Sequence, residues 1–492
     1  MLFNSIEFLI FLPIVFAIYW MVGSKRQTAQ NFILLTSSYI FYGWWDWRFL
    51  SLIALSSLAD FFIGQRLIRE QKLSSRKWLL TASLGLNLGL LAVFKYYNWF
   101  MDSLVESCSV LGLELEFTTL SIVLPVGISF YTFQTLSYTI DVYRHKITPT
   151  KDLLAFLTFV SFFPQLVAGP IERAVNLLPQ FKKNREFNYA IAVDGCRQIL
   201  WGFFKKVAIA DNCAIYVNDI FADHTIQSGP TLILGAFLFA IQIYGDFSGY
   251  SDIAIGTARL FGINLMRNFN FPYFSRDIAE FWRRWHISLS TWFKDYLYIP
   301  LGGSRGGQWM RVRNTFAIFL VSGLWHGANW TFVVWGGLNA LYILPLIIGK
   351  KNRSNLDTVA EGKLFPGIRE AFQMATTFGL TLIAWVYFRA KDVGQGTDYL
   401  IHLFSDIYSK AAVVDTYNFI YWEGVYLTLA GIAVLMLFEW LGRTQPHGLT
   451  LAKLEGRGTL PTISRYVLYV ALIIATVIAM PNEASTFIYF QF

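Results

Sequence analysis

Charge is scarce in this chain. Asp, Glu, Lys and Arg make up only 15% of its 492 residues, against about 25% in an ordinary soluble domain. Hydrophobic residues make up 55%, so the chain has too little polar surface for a soluble globular enzyme. An all-α polytopic membrane protein is indicated, and the 18% aromatic content suits Trp and Tyr belts at the two interfaces. The net charge of +8 does not point to nucleic acid. Basic residues gather in the cytoplasmic loops of membrane proteins, and that alone raises the pI.

Cysteine is nearly missing too. Cys108, Cys196 and Cys213 have no C-x-x-C spacing and no neighbouring histidine, so neither a metal site nor a disulfide framework is implied. No G-x-S-x-G elbow exists, and a Ser-His-Asp hydrolase is unsupported. Gly302, Gly303, Gly306 and Gly307 enclose Arg305, but Gln308 and Trp309 stand where a phosphate loop needs Lys and Ser or Thr. The run Phe8 to Val22 has Glu7 before it and Lys25 and Arg26 after it. That order is the reverse of a cleaved leader, so the run is expected to be an uncleaved first span. No internal repeat is visible, which weakens a transporter built on two related halves.

What the chain does have is apolar segments near the ~20 residues a crossing needs. After the first come segments at roughly 31–46, 48–64, 78–98 and 118–140. One loop holds Arg66, Arg69, Lys72, Arg76 and Lys77; another holds Asp102, Glu106, Glu114 and Glu116 and no Lys or Arg. Because Lys and Arg favour the cytoplasm, the N-terminus is expected outside. Residues 153–170 are apolar but interrupted by Pro164, Gly169 and Pro170, with basic loops on both sides. This predicts a re-entrant, broken helix buried in protein. Segments 188–210, 230–245, 314–349 (out and back), 371–388, 425–441 and 466–481 bring the total to about twelve crossings. The tail Phe487–Phe492 is then outside. A single membrane domain is expected over 1–492, with N-terminal spans in 1–150, a core in 151–349 and C-terminal spans in 350–492.

Two histidines stand out within that core. From Phe281 to Tyr296, residues Trp282, Trp285, Leu289, Trp292 and Tyr296 recur at steps of three and four, which predicts one helical face that includes His286. Asp277, Glu280, Arg283, Arg284, Lys294 and Asp295 make this stretch too charged to span, so it is expected at the cytoplasmic interface. Arg283, Arg284, Lys294 and Arg305 are candidates to hold phosphates of a soluble donor. The plainer reading is an interfacial helix and an ordinary turn marked by cytoplasmic arginines. His326 lies in a run without charge from Thr315 to Gly337. An ionisable group there is expected to face the bundle interior or a water-filled cavity. Imidazole suits removal of a hydroxyl proton at neutral pH; the alternative is a hydrogen bond that joins helices. Gln242, Asp246, Ser248, Ser251 and Asp252 interrupt another apolar helix. They either orient a histidine or face an aqueous tunnel, or they mark a helix break at Gly245 and Gly249. The block F-F-P-Q-L-V-A-G-P-I-E-R places Gln165 and Glu172 on the re-entrant piece.

Together these blocks resemble the membrane-bound O-acyltransferase family, in the bacterial branch typified by alginate O-acetylase. W-R-R-W-H-I-S-L-S-T-W-F-K-D-Y-L-Y-I-P-L-G-G and L-W-H-G-A-N-W-T-F-V-V-W-G are its two signature blocks. F-Y-G-W-W-D-W-R, L-P-V-G-I-S-F-Y-T-F-Q, Y-G-D-F-S-G-Y-S-D-I-A-I-G and F-I-Y-F-Q-F support the likeness. The resemblance implies a ring of about twelve transmembrane helices, with re-entrant and cytoplasmic interfacial helices, around a central tunnel. It implies an O-acyltransferase whose presumed catalytic residue falls on His326 and whose second position, His or Asn, falls on His286. The implied reaction moves an acetyl group from a cytoplasmic thioester, acetyl-CoA foremost, across the membrane to an exopolysaccharide such as alginate, with no tightly bound cofactor. His326 is then the general base and His286 orients the donor or stabilises charge. Asp246 tunes protonation, and Gln165, Ser248, Asp252, Trp325 and Asn329 support the site. Further implications are extracytoplasmic acetyltransferase partner proteins, lipid contacts, no nucleic acid, and a bacterial inner membrane with both termini outside. The competing reading is a transporter or flippase of an acylated carrier with the histidines as proton relay. A scaffold of an export complex without chemistry is a third.

Overall fold

The computed structural model describes residues 1–114, 120, 123–450, 459–481 and 487–488. Lys453 and Arg457, Glu116, the start of the 118–140 segment and most of the C-terminal tail lie outside the described residues. Regular structure among the described residues is helical throughout, with no strand. A helix satisfies every backbone N–H and C=O within itself, which is what hydrocarbon surroundings demand.

Among the described residues, six stretches are long and apolar enough to cross a membrane: Gln27–Arg69, Leu73–Val110, Gly229–Leu260, Trp330–Ile348, Ile368–Arg389 and Leu460–Ile478. The pair Lys410–Trp422 and Val425–Leu441, bent by 84°, makes a seventh if taken as one span. The twelve expected crossings do not map one to one onto these. Segments 31–46 and 48–64 fall on the single stretch Gln27–Arg69, interrupted only at Asp46 and the tight turn Trp47–Phe49. The 314–349 run is the helical hairpin it was expected to be, Gly307–His326 followed by Trp330–Ile348. The 153–170 segment is broken as its prolines and glycine predict, into Leu153–Ser161 and Phe163–Leu166 with a kink at Phe162. Nine helical residues rise only about 14 Å, half the ~30 Å hydrocarbon thickness.

The chain divides into two compact units. One comprises Met1–Gly195 with Ala254–Met266, the other Cys196–Ile253 with Arg267–Phe492. In the first, Asp60 is fully buried. Its carboxylate accepts hydrogen bonds from Ser83 Oγ, from Asn87 Nδ2 at 2.8 Å and from Thr139 Oγ1 at 2.9 Å. A buried carboxylate is tolerable only with such donors, and these three tie Leu50–Arg69, Leu73–Leu91 and Ile128–Tyr143 to one point.

In the second unit, the helix that starts at Gly229 runs unbroken through Gly245 and Gly249, which removes the reading of a helix break there. The glycines serve close approach instead. A Cβ on Gly249 would lie 2.8 Å from Gly202 O, and one on Gly202 would lie 2.6 Å from Gly249 O. Small residues let membrane helices touch backbone to backbone in this way. Beyond Gly202 the chain loosens into a π-helical turn, Phe204–Ala210, that carries the buried Lys205 and Lys206. Each lysine finds carboxylates. Lys205 Nζ is 2.6 Å from Asp252, and Lys206 Nζ is 2.7 Å from Asp246 and 2.8 Å from Asp211.

Candidate active site

The single amphipathic helix expected over Phe281 to Tyr296 does not form. The chain makes two short helices, Ile278–Arg284 and Ile287–Phe293, and then a π-helical turn, Lys294–Tyr298. Between the helices Trp285 is extended and His286 adopts the left-handed conformation, φ 43° and ψ 55°. The cause is a partner outside the helix. Asn270 N donates to Arg284 O and Ile287 N donates to Asn268 O, each at 2.9 Å. These bonds pull the chain out of helical register, so His286 and Trp282 do not share one continuous helical face. A non-glycine residue held left-handed costs about 1–3 kcal/mol and persists only where its surroundings over-determine it.

His286 is buried, and burial pushes its imidazole down to about 3, so the ring is neutral at physiological pH. Nδ1 lies 3.1 Å from Asn268 Oδ1, while Nε2 has no hydrogen-bond partner among the described residues. Phe247 meets the ring edge to face at 4.6 Å between centroids, and Trp325 lies at 6.0 Å.

His326 is the last residue of Gly307–His326 and is also buried. Its helix packs closely on the return helix, because a Cβ on Gly323 would run into the carbonyl oxygen of Phe332. Asn329 caps the return helix through Thr331 N at 3.0 Å and donates to Lys391 O at 2.7 Å, so it holds the turn. Around the His326 ring stand Trp325, Trp335 and Phe388, with centroids at 4.9, 5.0 and 5.2 Å. Trp325 therefore touches both histidines. Trp282 completes the wall: its ring lies 5.6 Å from Trp335 and its Nε1 donates to Asn339 Oδ1 at 3.2 Å.

The other sequence candidates occupy several environments. Arg284 Nη2 donates to the buried Glu280 at 2.8 Å, and Arg276 holds the other Glu280 oxygen. Hydrogen bonding to Arg276 also holds the Asp357 carboxyl below its ordinary value. Arg283 donates to Asn352 O and Asn355 O at 2.8 and 2.6 Å. Lys294 and Arg305 are exposed. The oxygens of Asp246 receive Lys206 and, at 2.7 Å, the backbone N–H of Ile488. Asp246 reaches the site through its neighbour Phe247. Ser248 accepts from Lys205 at 2.9 Å, and Asp252 takes Lys205 together with Gln198 at 2.7 Å. Gln165, in the other unit, is buried and donates to Phe159 O at 2.8 Å.

Sequence reasoning missed Lys205, Lys206, Glu439 and Asn268. Two adjacent lysines inside the apolar 188–210 segment were a signal, because charge within a span is costly. So was Glu439 inside an apolar helix, where it accepts from Tyr244 OH at 2.7 Å. Asn268 carried no signal at all.

A helical membrane protein with two buried histidines against one tryptophan invites comparison with known proteins. The MBOAT, membrane-bound O-acyltransferase family, matches residues 149–348, which include both histidines. The chain is 42% identical over 398 residues to the "Probable alginate O-acetylase AlgI" of Pseudomonas putida, covering 80% of this chain and 78% of that protein. It is 34% identical over 422 residues to the peptidoglycan O-acetyltransferase of Helicobacter pylori, covering 80% and 78% respectively. The teichoic acid D-alanyltransferase of Streptococcus thermophilus is 29% identical over 282 residues, 54% of this chain and 68% of that one. This chain belongs to the membrane-bound O-acyltransferase family. It is a membrane-embedded O-acyltransferase, and the transporter and scaffold readings give way to an enzyme.

Proposed function

We propose that the enzyme takes an acetyl group from a cytoplasmic thioester, acetyl-CoA being the simplest donor. It passes the group across a bacterial inner membrane for O-acetylation of an exopolysaccharide such as alginate. The observation that carries this reading is the burial of His326 against Trp325, Trp335 and Phe388, in a chain similar to proteins named as O-acetylases.

His326 removes the proton from the acceptor hydroxyl as that oxygen attacks the thioester carbonyl. The C–S bond then breaks, and the thiolate takes the proton back from the imidazolium. His286, kept neutral by burial, orients the donor. Lys294 and Arg305, both exposed, are the cations for donor phosphates, whereas the equally exposed Arg283 and the buried Arg284 hold the loop around Asn352 and Asp357. Asp246 keeps its helix, and with it Phe247, against His286. Trp325 forms a wall of the site. Asp252 neutralises Lys205 and Ser248 accepts a hydrogen bond from it, Asn329 holds the turn after His326, and Gln165 stiffens the broken helix. Partner proteins outside the membrane carry the acetyl group onward, and both termini face them.

The test is acetyl transfer from labelled acetyl-CoA by membranes containing wild type or His326→Ala, with a D-alanyl thioester as competing donor. Loss of about 10²–10⁴-fold in folded His326→Ala is expected for removal of a general base. Full activity in that variant overturns the mechanism, and preference for the D-alanyl donor overturns the acetyl assignment.

A further inference from the structure

We propose that Asn268 is a positioning residue that fixes the tautomer of His286, leaving Nε2 as a permanent hydrogen-bond acceptor for a proton-bearing group of the acyl donor. The inference rests on the reading that His286 orients that donor, and it adds how the ring is prepared to do so.

One group beside Asn268 has a role that is not open to choice. A backbone N–H only donates, and Ser288 N–H points at the Asn268 side-chain amide at 3.3 Å. The atom it meets must therefore be the carbonyl oxygen, Oδ1, not the amide nitrogen. The other end agrees, since Asn268 Nδ2 donates to Ser251 Oγ at 3.2 Å on Gly229–Leu260. With the amide orientation settled, His286 Nδ1 faces an oxygen that only accepts, 3.1 Å away. A bare nitrogen lone pair there would oppose the oxygen lone pairs, so Nδ1 carries the proton. Ser288 Oγ offers no escape. It lies 2.9 Å from Asn268 Oδ1 and 3.4 Å from Nδ1, so its one proton goes to the nearer oxygen.

A neutral imidazole with hydrogen on Nδ1 has its lone pair on Nε2. That nitrogen is buried and has no partner among the described residues. A buried acceptor without a partner is destabilising, and the left-handed backbone of His286 adds to the cost of this arrangement. The missing hydrogen bond is made good when a donor N–H or O–H arrives at Nε2, while the backbone stays as the Asn268 and Asn270 pairing holds it. Asn268 also accepts nothing it would release on turnover: its carbonyl is held by backbone and hydroxyl on one helix and its amide by Ser251 on another.

The experiment is NMR of the full chain in detergent or nanodiscs with isotope-labelled histidine. The chain has only six histidines, and the His286 signals are assigned by difference with His286→Ala. Wild type is expected to show the neutral Nδ1–H form. Asn268→Leu is expected to lose that preference and at least about tenfold in kcat/KM for the acyl donor per folded molecule, as when the orienting partner of a functional histidine is removed. Asn268→Asp keeps an acceptor at the same place and is expected to retain the tautomer and restore most of the turnover, which keeps the test alive if Asn268→Leu fails to fold. A proton on Nε2 in wild type overturns the proposal, as does turnover in folded Asn268→Leu equal to wild type while His286→Ala is inactive. Full turnover in His286→Ala overturns the role of His286 itself, and the positioning role with it.

Discussion

Lys206 Nζ sits 2.7 Å from Asp246 Oδ1, with both side chains buried. Asp211 lies on the other side of the same ammonium at 2.8 Å. Breaking a buried pair by removing one partner leaves an uncompensated charge, at about 3–5 kcal/mol, whereas replacing both partners with apolar groups is often neutral. Lys206→Met, which strands two carboxylates, is therefore expected to lower the thermal midpoint in detergent more than Asp246→Asn does. Lys206→Met combined with Asp246→Leu and Asp211→Leu is expected to recover part of the loss. A triple variant no more stable than Lys206→Met would show that the lysine acts by packing and not by charge.

His286 gives a prediction whose sign follows from its burial. Its imidazole is depressed from 6.5 to about 3 by desolvation, so the folded state binds fewer protons than the unfolded chain between those values. The stability it contributes is fully present above pH 6.5 and is lost as pH falls toward 3. His286→Asn removes this titration while keeping a neutral acceptor. Its thermal midpoint is expected to fall less than that of wild type between pH 6.5 and 4. Its acyl transfer at neutral pH is expected to exceed that of His286→Ala. Parallel midpoint curves for wild type and His286→Asn would refute the depressed value.

Much of this architecture was legible in the sequence, and the parts that were not share a cause. Scarcity of charge identified the membrane class, and Pro164 with Gly169 marked the broken helix near Phe162. The uncharged run around His326 became the turn of the hairpin and the two helix ends that flank it, because such a run is decided locally. The break at Trp285 and His286 was hidden because the aromatic period continues across it. What breaks the helix is backbone pairing with Asn268 and Asn270, which no local pattern announces. Gly245 and Gly249 misled for the same reason. Taken alone they are compatible with a break, yet their lack of side chains admits the neighbouring backbone at Gly202 and Lys205. Asn268 shows the limit most clearly, since an ordinary loop asparagine becomes informative only when its four hydrogen bonds are seen together.

Glu172 titrates in the opposite sense from His286. Burial pushes its carboxyl from 4.5 up to about 7, against the hydrogen bond it accepts from Met266 N. A carboxyl raised on folding contributes stability that is complete below pH 4.5 and is lost as pH rises through about 7. Glu172→Gln keeps an acceptor for Met266 N and cannot ionise. It is expected to match wild type in thermal midpoint at pH 5 and to exceed it at pH 8. Equal midpoints at both values would mean that Glu172 titrates normally.

The hairpin whose first helix ends in His326 offers a test in which packing and chemistry separate. Gly323 lies one turn before His326, and a Cβ there meets the carbonyl oxygen of Phe332, a backbone atom that cannot swing aside. Overpacking of this kind costs about 1–3 kcal/mol. Gly323→Ala is therefore expected to push the two helices apart by the width of a methyl group. That shift moves the His326 ring relative to Trp335 and Phe388, which lie on other helices, while Trp325 moves with it. Misplacement of a reacting group by about 1 Å can lower turnover about 100-fold, so the kcat of the folded variant is expected to fall by more than its stability loss alone would predict. Gly337, on the return helix, has open space around a Cβ. Gly337→Ala is expected to leave both stability and turnover close to wild type. If Gly323→Ala folds and turns over like Gly337→Ala, the close crossing does not place His326, and the catalytic geometry must be set from the aromatic wall instead.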